Sequence, residues 1–343
     1  MPRLNVAVVG CGLIGSRRAR VIAGHADSAL ARVIDVREDA ARALARECGA
    51  PWAADWTEVV RDPGVDVVVV STPNDQLAPV GIAALEAGKH VLIEKPMGRN
   101  LAEALRLERA AAGSRRRLKV GFNLRYHPAI ACARTLVAQG GIGTPFNARV
   151  RYGHGGRSGY EREWRGDPQR AGGGELTDQG IHVVDLLGCF LGVPERVVCV
   201  TQTAHWAVEP LEDNAFAILR YPGGAAASFH TSWTQWENLF SFELFGRDGH
   251  LAIDGLGGSY GVERLIVGKR RPEGGRPDVG ETTFPGPDES WQREWEEFAS
   301  GLLRGAPYQG TPEDGVAAMR VLHSLYEAAA SGQAIPIECA RRA

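Results

Sequence analysis

The amino-acid sequence predicts an α/β protein of two domains, a doubly wound parallel sheet followed by an α/β domain with a predominantly antiparallel sheet. Three observations predict it. The first third alternates strand-like and helix-like segments, a glycine-rich turn joins the first such pair, and beyond about residue 123 strand-like segments follow one another directly. At 343 residues, 44% of them hydrophobic, the chain exceeds what one core usually organises. The expected division is residues 1–122 and 123–343.

Taken in order, Leu4 to Val9 is a continuous apolar strand, Leu13 to Gly24 a helix, Leu30 to Asp35 a second strand and Glu38 to Cys48 an Ala- and Arg-rich helix. Val65 to Ser71, with four consecutive valines after Asp66, has the composition of a strand covered on both faces. A helix from about Ala78 to Ala87, a strand His90 to Glu94, a helix Leu101 to Ala112 and a strand Leu118 to Phe122 complete the alternation. Asn100 with Glu103 fits a capping box at the start of that last helix. The second part begins with a helix near His127 to Gln139 and continues with strands at Val197 to Thr203, Ala215 to Tyr221, Ala225 to Trp233 and Leu239 to Phe245. The Gly- and Pro-rich stretch Gly268 to Pro287 reads as an exposed loop, and a final helix, Glu313 to Ser331, is expected to return to the first domain.

Charge and cysteine usage exclude several classes. A net charge of −2 and a pI near 6.5 provide no basic field for nucleic acid. The run Arg115, Arg116, Arg117 and Lys119 reads as a solvated helix end. Six cysteines, at 11, 48, 132, 189, 199 and 339, show no CxxC spacing, and no signal-like segment precedes the first strand, so a reducing cytoplasm is expected. No apolar run approaches the roughly 20 residues that span a bilayer.

The first chemical motif is VAVVGCGLIGS. Gly10 permits a tight turn, Gly12 lets the backbone approach a pyrophosphate, and Gly15 lets helix and strand pack closely, while the backbone through Cys11, Leu13 and Ile14 opens the helix. Asp35 ends the second strand twenty residues after Gly15, where a carboxylate accepts both ribose hydroxyls of an adenosine. It would also repel a 2′-phosphate, which favours NAD over NADP. Arg37 would reverse that preference if it turned inward; its other reading is an exposed arginine at a helix start. Ser71, Thr72, Pro73 and Asn74 of STPND, and Glu94 and Lys95 of IEKPM, lie at the carboxyl ends of further strands, the edge where open sheets bind ligands. Lys95 there brings an ammonium to a substrate hydroxyl; taken alone, it reads more readily as a surface-turn lysine, as most lysines are exposed.

The second motif is GGGELTDQGIHVVD. Spacings of four, three and seven stack Asp178, His182 and Asp185 on one helix face. Gly180, lacking a side chain, would let cofactor or sugar lie close to the helix. One histidine without HxxxH or CxxC is a thin ligand set, so no metal is expected.

Together, GCGLIG, Asp35, TPN, EKP and GGGELTDQGIH resemble the glucose–fructose oxidoreductase, inositol dehydrogenase and rhizopine-catabolism (Gfo/Idh/MocA) family over nearly the whole chain. The resemblance implies an N-terminal Rossmann domain and a C-terminal α/β domain whose open, predominantly antiparallel sheet often mediates assembly, here as a homo-oligomer, dimer or tetramer. It also implies that Lys95, Asp178 and His182 line the site where nicotinamide meets sugar, and that Arg125 in GFNLRYHP, with Asn123 beside it, contacts substrate. Leu77 stands where the family often has a histidine after TPN, so contacts near the nicotinamide differ.

The chemistry this requires is a hydride acceptor on one side of a carbon and a base for the hydroxyl proton on the other. His182 suits that base near neutral pH, Lys95 polarises the hydroxyl, and Asp178 holds a hydroxyl or raises the basicity of His182. Asp185 reads as structural, a cap or an arginine partner. For the substrate, RYGHGGRSGYEREWRGDPQR supplies His154, Tyr160, Trp164 and several arginines, and Trp233, Trp236 and His230 are candidates to wall the pocket. Resemblance of the 151–170 segment to sugar-tailoring members of the family implies oxidation of a pyranose ring hydroxyl, with C3 the candidate position, of a nucleotide sugar or an aminoglycoside intermediate. Inositol dehydrogenation, a glycosidase that uses NAD transiently, and a nucleotide-sensing binding protein are the alternatives.

Overall fold

The computed structural model describes residues 3–337, which divide into two compact units. The first comprises the chain up to Phe122 together with Gln169–Gly172 and Trp291–Met319; the second comprises Asn123–Pro168, Gly173–Ser290 and the chain from Arg320 onward. A single cut after residue 122 is therefore too simple, since two later segments belong with the first unit. Cys339 lies outside the described residues.

In the first unit, β1 (Leu4–Val9), β2 (Ser28–Ile34), β3 (Trp52–Ala53), β4 (Val67–Val70), β5 (His90–Glu94) and β6 (Leu118–Gly121) form a parallel sheet in the order β3-β2-β1-β4-β5-β6. Helices α1 (Leu13–Gly24), α2 (Glu38–Cys48), α3 (Trp56–Arg61), α4 (Asn74–Glu86) and α5 (Leu101–Ser114) make the crossovers. The strand order reverses between β1 and β4, which makes their carboxyl ends the natural ligand crevice. The four valines of β4 are fully buried, as a strand covered on both faces requires. Helix α4 starts at Asn74, ahead of the expected Ala78: Pro79, expected near the helix start, sits in the second turn, where the missing N–H forfeits one backbone bond. At α5 half of the capping box forms: Asn100 accepts the Glu103 N–H, while the Glu103 carboxylate goes to the Arg99 N–H instead.

The second unit holds β7 (Pro145–Gly153), β8 (Arg196–Gln202), β9 (Asn214–Arg220), β10 (Ala226–Ser232), β11 (Leu239–Gly246), β12 (Gly249–Asp254), β13 (Glu263–Lys269), β14 (Asp278–Phe284) and β15 (Ile335–Pro336). They form one sheet in the order β14-β13-β12-β11-β7-β10-β9-β8-β15, antiparallel except between β7 and β10. Helices α6 (Pro128–Ala138) and α8 (Ile181–Leu191) pack on this sheet, and a short α7 (Pro168–Ala171) lies between them in sequence. Burial alternates along the strands, and the opposite face exposes Val198, Val200, Phe216 and Ile218. The stretch expected as a loop at 268–287 contains the edge strand β14. Its residues are almost all exposed, so no apolar alternation marks it.

Two helices follow, α9 (Ser290–Arg304) and α10 (Pro312–Ser331). Helix α9 was not anticipated, because its many charges mask the stripe Trp291, Trp295 and Phe298. Trp295, Phe298 and Ala299 complete the core formed by Val6, Val8, Val67 and Leu92.

Candidate active site

The glycine-rich turn after β1 is shaped by two contacts and one absence. Gly10 has φ +99°, and a Cβ there would meet the Ser71 carbonyl oxygen at 2.4 Å; a Cβ on Gly15 would meet the Gly10 carbonyl oxygen at 1.7 Å. A Cβ on Gly12 would meet nothing within 4 Å, so no protein atom demands that glycine. The room in front of it suits a pyrophosphate at the N-terminus of α1, whose first turn, with Leu13 exposed and Ile14 half-buried, has no acidic residue. Nearby, Ser71 Oγ and Thr72 Oγ1 are buried and have no hydrogen-bond partner among the described residues, which fits a polar ligand there. Pro73 caps α4.

Asp35 already holds this turn together. One carboxylate oxygen accepts the Cys11 N–H at 2.7 Å and the other the Arg37 N–H at 2.9 Å, leaving lone pairs on both for ribose hydroxyls. Arg37 remains exposed with its Nε 3.5 Å from Asp35. The Cys11 thiol, pushed up to about 12 mainly by burial, stays protonated and inert.

At the end of β5 the two expected site residues part ways. Lys95 is half-buried, whereas the Glu94 side chain, expected to contact cofactor, turns to Arg18 instead. Arg18 Nε and Nη2 both donate to Glu94 Oε1, at 2.8 and 2.7 Å, and Nη1 donates to Glu294 Oε2 of α9 at 2.5 Å. A buried carboxylate demands such a cation, and the Trp291 ring covers the guanidinium 4.6 Å from Cζ. Asn74 is likewise structural: its Nδ2 donates to the Ala171 carbonyl at 2.8 Å.

In the second unit the glycines of GGGELTD answer to separate close approaches. A Cβ on Gly173 would meet the Thr177 hydroxyl at 2.0 Å and one on Gly174 the Glu212 carbonyl oxygen at 2.1 Å. The buried Glu212 carboxylate accepts the N–H groups of Gly174 and Leu176 at 3.1 and 2.9 Å and the Tyr326 hydroxyl at 2.8 Å. Leu176–Gly180 then forms a π-helical turn that leads into α8. The single α-helical face expected for Asp178, His182 and Asp185 is corrected accordingly, since a π turn widens the helix and changes the phase. Asp178 meets Arg165 Nε at 3.2 Å and the Tyr160 hydroxyl at 3.5 Å. His182, 6% exposed, stands edge-on to the Tyr152 ring at 6.3 Å. Asp185 forms a buried bidentate pair with Arg125, at 2.9 and 2.6 Å. Gly180 serves packing rather than ligand approach, because a Cβ there would meet Leu176 Cδ1 at 2.8 Å and Thr231 Oγ1 at 3.4 Å.

His154, Glu175 and Asp178 bring ligand atoms within 4.8 Å of one another. The Gly156 N–H donates to His154 Nδ1 at 2.9 Å, which places the ring proton on Nε2. A metal-bound histidine normally donates from its second nitrogen, so this arrangement suits hydrogen bonding to carboxylates and disfavours a metal. Of the other expected substrate residues, Tyr160 and Trp164 gather near Asp178, Arg165 lying 4.4 Å over the Trp164 ring. Trp233 is fully buried behind Tyr160, ring centroids 4.7 Å apart, and is core. Asn123 is buried and donates to Ser290 Oγ at 3.1 Å. Two donors of Arg125 are committed to Asp185, not to substrate. His230 stacks on Phe216 on the sheet's opposite face, where strand alternation puts it. Sequence reasoning missed Tyr152, Glu175, Glu212, Tyr260 and Tyr326; Glu175 alone carried a signal, sitting inside GGGELTD.

Comparison with known proteins places this geometry. Residues 4–122 match the family model for the oxidoreductase family, NAD-binding Rossmann fold, and residues 130–252 that for the GFO/IDH/MocA C-terminal domain. The chain is 32% identical over 286 residues, 82% of each chain, to 1,5-anhydro-D-fructose reductase of Ensifer adhaerens. It is 28% identical to inositol 2-dehydrogenase 2 of Saccharopolyspora erythraea over 98% of this chain and 96% of that one. The crystal structure of GenD2 from gentamicin A biosynthesis in complex with NAD shares the fold with a TM-score of 0.85 and 28% identity, covering 99% of this chain and 97% of that one. A glycine turn open at Gly12, a ribose-competent Asp35 and two matched domain models lead to one assignment: the chain belongs to the GFO/IDH/MocA family of NAD-binding oxidoreductases.

Proposed function

We propose that the protein oxidises a secondary ring hydroxyl of a sugar to the keto sugar, with C3 the candidate position. NAD supplies the two-electron acceptor. His182 takes the hydroxyl proton, Lys95 stabilises negative charge developing on that oxygen, and Asp178 holds a hydroxyl of the same ring. The observation that carries the reading is the pairing of a buried His182 with a π-turned segment that presents Asp178, in a chain of this family.

Four of the five arginines in 151–170 are paired, and the fifth, Arg151, lies with His230 and Phe216 on the sheet's opposite face. Arg157 pairs with Glu163 at 2.6 Å, Arg162 with Glu161 at 3.8 Å, Arg165 with Asp178 at 3.2 Å and Arg170 with Asp75 at 3.7 Å. A diphosphate would have to compete with these carboxylates, so an aminoglycoside-type or neutral pyranose is favoured over a nucleotide sugar. The name of GenD2 supports the same choice. An inositol is the alternative, supported by the Saccharopolyspora relative.

The exposed stripe Val198, Val200, Phe216 and Ile218 supports assembly into a homo-oligomer, dimer or tetramer. Among the described residues no helix is long and apolar enough to cross a membrane, and Cys11, Cys48, Cys132, Cys189 and Cys199 form no disulfide, which supports a cytoplasmic location.

The test follows 340 nm absorbance and product mass over aminoglycosides, nucleotide sugars and inositols with NAD. Stoichiometric NADH and a keto product are expected, with the His182→Ala variant slower by about 10² to 10⁴ and still binding NADH. Aglycone release without NADH would replace the reading by transient-oxidation hydrolysis, and an H182A enzyme with near-normal turnover would remove His182 from the mechanism.

A further inference from the structure

Tyr260 is a hydroxyl beside the motif helix that the proposed reaction leaves unused. It sits in the loop Gly255 to Gly261, where Gly255, Gly257, Gly258 and Gly261 all have positive φ, from +55° to +89°. Glycine alone adopts such φ values freely, and the loop they shape presents a single aromatic side chain, partly exposed. The Tyr260 oxygen accepts the Gln179 side-chain N–H at 3.1 Å, and Gln179 is the residue between Asp178 and Gly180. The Tyr260 ring lies 5.2 Å from that of Tyr152, centroid to centroid, and Tyr152 in turn stands against His182. A phenolic oxygen that accepts from Gln179 keeps its own proton to give elsewhere.

We propose that Tyr260 anchors the substrate, donating its phenolic proton to an oxygen of the polyhydroxylated ring; this rests on the sugar-oxidising reading above. Burial pushes the Tyr260 phenol up to about 12, so it remains a donor across the working pH range. A neutral donor that meets ground state and transition state alike contributes uniform binding, which is read in KM rather than kcat.

The test compares wild type with Tyr260→Phe in steady-state kinetics and, independently of turnover, in saturation-transfer NMR of the same sugars with NADH present. Expected is a rise in KM and in the sugar's Kd of about fivefold to tenfold, with kcat within about threefold and NADH affinity unchanged. A sugar Kd unaltered in Y260F would overturn the proposal, as would a parallel loss of kcat, NADH affinity and thermal stability, which marks a structural role. Sugar binding without NADH production would sink the redox reading while leaving the Kd comparison decisive for Tyr260; a wild type that binds no sugar overturns both.

Discussion

Replacing Arg18 by methionine tests the buried charge cluster behind the EKP turn. The side chain is of similar length, so the volume is kept and the charge is lost. Arg18, 2% exposed, serves Glu94 through two donors and Glu294 through a third, and Glu294 is fully buried. Without the guanidinium two carboxylates face one another in a desolvated site. Removing one partner of a buried pair costs about 3–5 kcal/mol. In a unit of this size 1 kcal/mol moves the melting temperature by about 2–4 °C, so R18M should melt roughly 6–20 °C below wild type near neutral pH. The sign with pH follows from Glu294, whose carboxyl burial holds above its ordinary value despite Arg18. A carboxyl with a raised folded pKa favours the folded state at pH values below its unfolded pKa and loses that contribution as pH rises through the folded one. Deleting Arg18 removes a charge that pulls Glu294 down, so the folded value climbs further and the deficit should shrink as pH falls. Thermal melts by circular dichroism, with the fluorescence of Trp291 and Trp295 as a local probe, measure both effects. A variant that melts within about 2 °C of wild type at neutral pH, or whose deficit is the same in acid, refutes the reasoning.

Gly174→Ala should fold poorly or lose turnover by more than about tenfold while NADH binding survives, because its Cβ would sit 2.1 Å from a backbone oxygen that cannot swing aside. Kinetics with an NADH titration check this, and normal kcat would show that the motif tolerates a side chain. Asp35→Ser should narrow the preference for NAD over NADP by about tenfold or more in kcat/KM, as the repulsion of a 2′-phosphate disappears. An unchanged preference would mean that Asp35 serves only the Cys11 and Arg37 amides.

Much of the first unit was legible because its signals are local. The apolar run Leu4–Val9, the glycines at 10, 12 and 15 and the acidic end of β2 lie within a few turns of chain, and each dictates its own conformation. In the second unit the alternating strands β8 to β11 were visible for the same reason, while β14 was not, having no buried face. The π turn at Leu176–Gly180 was also invisible: nothing in LTDQG distinguishes it from an α turn, and it is held by Glu212 and Tyr326 from distant chain.

By itself the sequence determined the alternation of strand and helix, the dinucleotide turn and the identity of the residues able to do acid–base chemistry, because backbone propensity and side-chain chemistry travel with the residue. Only the tertiary structure decided which of those residues were available. Arg18 takes Glu94 from 76 residues away and Glu294 from 276, and Arg125 takes Asp185 from 60. A buried charge accepts whatever opposite charge the fold brings to it, and that choice is made by burial and distance in space, which no spacing along the chain encodes.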